Sequence, residues 1–142
     1  ELLNSISGLV NLTALILVGC AGLISVPPLG KLKRLMELDL SGTKIQDLPQ
    51  DLESLVNLKR LDLDHCWSFN RKVIPKGTFS KLHRLQWLVL PPYGTVQFND
   101  PEVLNQLDGF IGCLCFTDSY KISWWPEHWY LCIKGKLYFS PL

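Results

Sequence analysis

Residues 35–63 read LMELDLSGTKIQDLPQDLESLVNLKRLDL, and the opening phrase L-x-x-L-x-L returns at the end of the stretch. The segments on either side repeat it. Residues 12–40 are LTALILVGCAGLISVPPLGKLKRLMELDL, and residues 58–90 are LKRLDLDHCWSFNRKVIPKGTFSKLHRLQWLVL. The first leucine of each core falls at Leu12, Leu35, Leu58 and Leu85, giving spacings of 23, 23 and 27. Two more leucines follow each: Leu15 and Leu17, Leu38 and Leu40, Leu61 and Leu63, Leu88 and Leu90. Three residues past the last of them stands Cys20, Thr43 or Cys66, and a proline comes before the next core. Ahead of each core runs a second apolar ladder in steps of three: Ile6 and Leu9, Leu29 and Leu32, Leu52 and Leu55, Phe79 and Leu82.

Self-similarity at this period with this phrase is the mark of a leucine-rich repeat, in which each unit buries its apolar face only against its neighbours. The expected fold is an α/β solenoid of about five to six repeats. Short parallel strands line its concave face, and loops and short helical or 3-10 turns line the convex one. A fifth unit fits with worn lettering, Leu104, Leu107 and Phe110, with Cys113 and Cys115 in the two inward strand positions. A sixth, ending in WYLCIKGKLYF, is ragged. Residues 1–142 form a single domain, with 1–116 regular and the aromatic-rich 117–142 an irregular last repeat or cap. The opening ELLNSISGLVNL matches DLPQDLESLVNL, so the chain is expected to begin partway through a repeat. PPYGTVQFNDPE reads as a mobile loop between the fourth and fifth units.

Forty-seven per cent apolar residues against 19% charged is too hydrophobic for a disordered chain. The net charge of +1 provides no electrostatic footprint for nucleic acid. Lys31, Lys33 and Arg34 recur as Lys81, His83 and Arg84, read here as a solvated flank. No apolar run is long enough to span a membrane. Five cysteines in repeat positions point to reduced thiols in a cytoplasmic setting. Cys20 and Cys66 are expected to turn inward and satisfy loop backbone groups. A single C-x-C offers too few ligands for zinc. No catalytic constellation stands out. His65 and Cys66 are adjacent and therefore point opposite ways, and no glycine-rich phosphate loop is present.

Strand alternation sends the residues between the leucines to the concave surface. They are Ala14, Ile16 and Val18; Glu37, Asp39 and Ser41; Arg60, Asp62 and Asp64; Trp87, Val89 and Pro91; and, in the fifth unit, Gly112, Leu114 and Phe116. The candidate protein contacts are Glu37, Asp39, Arg60, Asp62, Asp64, Trp87 and Val89. Stacking in register puts Glu37 beside Arg60 and Asp39 beside Asp62, an acidic centre between an aliphatic and a Trp-bearing patch. Gathered carboxylates repel one another, which suits a basic, partly apolar partner. On this reading, reversing Asp39, Asp62 and Asp64 to Lys leaves folding intact and abolishes partner capture.

Residues 15–66, with Cys20 and Cys66 at the turn, the phrase LDLSGTKIQDLP and the continuation VIPKGTFSKLHRLQWL, resemble the leucine-rich repeats of plant intracellular NB-LRR disease resistance proteins of the coiled-coil class. The resemblance implies a sensor and autoinhibitory region in defence. Its partners would be a pathogen effector, a guarded host protein or the receptor's own nucleotide-binding domain. ADP or ATP would belong to that upstream domain, and no cofactor or metal is expected on these residues. The alternative is a leucine-rich repeat scaffold or adaptor in cytosolic signalling unrelated to immunity.

Overall fold

The computed structural model describes residues 4–69, 72–75, 77–91, 96–98, 112–116 and 130–133. Among the described residues are eight short strands: β1 (Ala14–Ile16), β2 (Glu37–Asp39), β3 (Arg60–Asp62), β4 (Lys72–Ile74), β5 (Trp87–Leu90), β6 (Val96–Phe98), β7 (Gly112–Phe116) and β8 (Tyr130–Ile133). The main sheet runs β1-β2-β3-β5-β7-β8. Each L-x-L core is one strand, and the leucines stack in register: Leu15 on Leu38, Leu38 on Leu61, Leu61 on Leu88. Leu38, Leu61 and Leu88 are fully buried, as are Leu40, Leu63 and Leu90. This parallel stack is a leucine-rich repeat solenoid.

The three-residue ladder has a hydrogen-bonding cause. Leu35 N donates to Leu32 O and Leu32 N to Leu29 O; Leu58 to Leu55 to Leu52 and Leu85 to Leu82 to Phe79 repeat it. Bonds of this span build a 3-10 spiral whose every third side chain eclipses the last, so an L-x-x-L-x-x-L line keeps one face in the core. Among the described residues the helical turns are of the 3-10 kind, at Asn4–Gly8, Leu52–Ser54 and Trp67–Phe69. Repeats are also joined by shared acceptors. Thr13 O receives Met36 N and Glu37 N, Met36 O receives Lys59 N and Arg60 N, and Lys59 O receives Gln86 N and Trp87 N.

The turn position behaves differently along the stack. Cys66 is buried, and its thiol donates to Leu40 O of the preceding repeat at 3.1 Å; Thr43 Oγ1 donates to the same carbonyl at 2.7 Å. Burial pushes the Cys66 thiol up, so it stays protonated and able to donate. Cys20 departs from the expected inward position: it is exposed.

Three further expectations are corrected. In the fifth unit Cys113 pairs with Trp87, Leu114 with Leu88 and Cys115 with Val89. Leu114 and Phe116 therefore take the register of the inward leucines, one residue away from the Cys113 and Cys115 assignment. With cysteine at alternate positions the apolar alternation survives a one-residue slip, so the letters alone do not fix the face. β8, in the ragged sixth unit, runs antiparallel to β7. The loop expected at 91–102 contains β6, which pairs in parallel with β4 as a second, two-stranded sheet. A fainter version joins earlier repeats, where Lys44 N donates to Leu23 O and Gln46 N to Ile24 O. The rest of the 117–142 cap assignment lies outside the described residues.

Candidate functional site

A strand this short leaves room for one outward side chain near each end, and this part of the strand face is built from β1, β2, β3 and β5. Register makes Ala14, Glu37, Arg60 and Trp87 neighbours in one row, and Ile16, Asp39, Asp62 and Val89 in the next. In the first row Arg60 is the hub. Its Nε lies 3.3 Å from Glu37 Oε1, its Nη2 donates to Asp62 Oδ2 at 2.9 Å, and its guanidinium stands 5.0 Å from the centre of the Trp87 ring. Arg60 and Glu37 keep 36% and 42% of their side-chain surface open, so the Coulombic gain is modest, about 0–1 kcal/mol. The stacking on Trp87 adds about 0.5–1 kcal/mol. Its larger effect is to hold a long cation still on an open face. Trp87 Nε1 is buried with no acceptor among the described residues.

The second row corrects the expectation of an acidic centre laid open on the concave surface. Asp39, Asp62 and Val89 are buried at 9%, 7% and 4% exposure. The aspartates have turned back onto their own chain. Asp39 Oδ1 accepts from Ser41 N at 3.0 Å and from Ser41 Oγ at 2.7 Å, and Asp62 Oδ1 accepts from Asp64 N at 3.1 Å. Each therefore closes the turn that leaves the strand, the local hydrogen bond for which short acidic side chains are favoured. The expected repulsion is present at Asp62: burial raises its pKa above 3.8, and Asp39 and Asp64 push it further, against the pull of the Asp64 N–H and of Arg60. Val89 stands in register between Asp62 and Cys115 and is buried as well. Of the seven candidates, Glu37, Arg60, Asp64 and Trp87 thus remain to meet a partner. The predicted aliphatic patch stands beside them, with Ile16 and Val18 half exposed.

The strand alternation missed the turn just past β3. Gly19 and Gly42 have φ of 67°, and the equivalent residue in the third repeat is His65, with φ of 54°. His65 Nδ1 lies 2.8 Å from Asp64 Oδ2, and its ring meets the exposed Trp67 edge-on at 6.2 Å. A histidine in a glycine column was the available signal. A left-handed backbone disfavours a residue with Cβ by about 1–2 kcal/mol. His65→Gly is therefore expected to raise Tm by a few degrees and His65→Val to lower it, read by thermal denaturation. If His65→Gly lowers Tm, the contacts to Asp64 and Trp67 outweigh the backbone.

Among the described residues no group of His, Cys, Asp or Glu is placed to hold a metal ion, and no helix is long and apolar enough to cross a membrane. No family model matches the chain. An internalin from Listeria monocytogenes overlays with a TM-score of 0.49 at 24% identity, covering 70% of this chain and 26% of that one. A disease resistance protein of Arabidopsis thaliana is 36% identical over 84 residues, which is 59% of this chain and 8% of the relative's length. In its repeat phrase and register this chain resembles the leucine-rich repeat region of a plant disease resistance protein.

Proposed function

We propose that these repeats are the sensing and restraining region of an intracellular plant immune receptor, binding protein and catalysing nothing. The observation that carries the reading is the 36% identity over 84 residues to a disease resistance protein, which falls on a fold whose strand face is free for contact. In this reading the switch itself, with its ADP or ATP, belongs to a nucleotide-binding domain elsewhere in the receptor. Arg60 and Trp87 form the anchor of the contact surface: stacked, held by Glu37 and Asp62, and of two of the three residue types that most often dominate binding energy. A partner that suits them brings acceptor groups to the guanidinium edge and apolar surface to Ile16 and Val18.

Two measurements test the reading at its two levels. Sequencing the transcript upstream of Glu1 should reveal, in frame, G-x-x-x-x-G-K-[ST] on a strand-to-helix turn. A signal peptide there, or only further repeats, removes the immune-switch assignment and leaves a signalling scaffold. In the full-length receptor, Arg60→Ala with Trp87→Ala should weaken partner binding or release restraint by about a thousandfold, since anchor residues contribute about 2 kcal/mol or more each. Unchanged binding and unchanged restraint in a folded double variant would remove the anchor.

A further inference from the structure

The two ion pairs among the described residues and the His65–Asp64 contact all lie on the strand face or the turn that leaves it. The opposite rim, where the 3-10 spiral enters each strand, has a different character. Residues 8–13, 31–36, 54–59 and 81–86 occupy it in successive repeats and contain no aspartate or glutamate. They contain Lys31, Lys33, Arg34 and Lys59, continued by Lys81 and Arg84, all exposed. None of these has a carboxylate partner among the described residues. Lys33 Nζ donates to a neutral carbonyl, Ser54 O, at 3.1 Å, and Arg34 Nη1 to a neutral amide, Asn11 Oδ1, at 3.2 Å. Both bonds run to a neighbouring repeat, as does Asn57 Nδ2 to Lys33 O at 2.7 Å. The side chains are therefore laid out as a patch across adjacent repeats, about 4.8 Å apart per step.

The apolar residues of the same rim decide what such a patch fits. Val10, Val56 and Met36 are 51%, 46% and 40% exposed. They interleave with the cations: Val10, Lys33 and Val56 share one column of the repeat, and Met36 and Lys59 the next. A phosphate backbone would use the cations and gain nothing from exposed aliphatics, and the rim has no Phe, Tyr or Trp on which a base could stack, His83 being its one aromatic ring. The chain's overall charge of +1 also provides no long-range pull on a nucleic acid.

We propose that this rim is a second interaction surface, separate from the strand face, and that it takes an acidic protein segment carrying aliphatic side chains. Carboxylates of that segment meet Lys31, Lys33, Arg34 and Lys59, and its aliphatic groups cover Val10, Met36 and Val56. The charges guide encounter and set the register, while the aliphatic contacts slow dissociation.

The test uses the whole chain and three labelled probes, followed by fluorescence anisotropy at low and at physiological salt. The probes are a short peptide alternating glutamate and leucine, an oligoglutamate, and an oligothymidylate of equal charge. The alternating peptide should bind tightest. Lys31→Glu, Lys33→Glu and Arg34→Glu together should weaken it about tenfold or more. Arg60→Ala with Trp87→Ala should leave it unchanged. Should the triple reversal fail to fold, the three Gln substitutions take its place and should weaken the peptide in the same direction.

Tightest binding by the oligothymidylate would overturn the proposal in favour of nucleic acid. It also fails if no probe binds at low salt, or if charge removal leaves peptide binding intact. Loss of the peptide in the Arg60 and Trp87 variant alone would place the acidic segment on the strand face, ending the rim proposal while leaving the recognition reading standing.

Discussion

In a Leu61→Asp chain the cooperative thermal transition and the circular-dichroism signature of ordered strands are both expected to disappear. Leu61 is fully buried and stands between Leu38 and Leu88 in the centre of the sheet. Truncating a leucine in such a core costs about 2–5 kcal/mol. The new carboxylate adds a desolvation cost of several kcal/mol, with no cation among the buried residues of that core to meet it. Marginal stability is about 5–15 kcal/mol, so the sum reaches the whole of it. A folded Leu61→Asp chain would mean that the third strand is not a core strand. Leu38→Asp should behave alike.

The second large effect concerns the aspartates. Asp62→Lys is expected to lower stability by about 3–5 kcal/mol, because it breaks a largely buried pair and places one cation against another. Asp62 accepts both the Asp64 N–H and an Arg60 N–H, and only 11% of its side chain is open. A lysine there could satisfy neither donor. The reversal of Asp39, Asp62 and Asp64, which the alternation alone expects to be harmless to folding, therefore confounds unfolding with lost binding. Asp64, at 25% open, and Glu37, at 42%, are the positions where charge can be changed to read out contact.

Asp62→Asn separates charge from hydrogen bonding, since an amide oxygen can still accept the turn N–H. In the native chain the raised pKa of Asp62 means that the folded state holds its proton more tightly than the unfolded state. Stability thus declines as pH rises from 3.8 through the raised value, and the cost is fully present above it. Denaturation followed across that window should show this decline in the native chain and not in Asp62→Asn. An identical slope in both would mean that Asp62 titrates normally.

The fold was legible because two independent periodicities agreed. The L-x-L cores and the three-residue ladder each needed only Leu12, Leu35, Leu58 and Leu85 to set the register, and β1, β2, β3 and β5 fall on them. The neighbour relations on the strand face, Glu37 with Arg60 and Asp39 with Asp62, followed from the same spacing. Burial did not. Alternation says which side of a strand a residue leaves from; it does not say whether an aspartate will curl onto the next turn, a matter of local hydrogen bonding at Ser41 and Asp64. The fifth strand slipped by one because Cys113 and Cys115 alternate as convincingly as Leu114 and Phe116. The second small sheet was invisible because Lys72–Ile74 and Val96–Phe98 lie in stretches that do not share the leucine phrase.

The bonds that tie one repeat to the next join residues 21, 23, 24 and 26 positions apart. The loop that must close to form any of them is of nearly the same size wherever it occurs in the stack. The entropy of closing it therefore does not grow with the number of units, and a longer stack is assembled by repeating one short step. A gene that duplicates or loses one unit changes how far the surface extends without disturbing how the remaining units find their partners. Such a surface can be lengthened, shortened or shuffled unit by unit in evolution while the chain continues to fold.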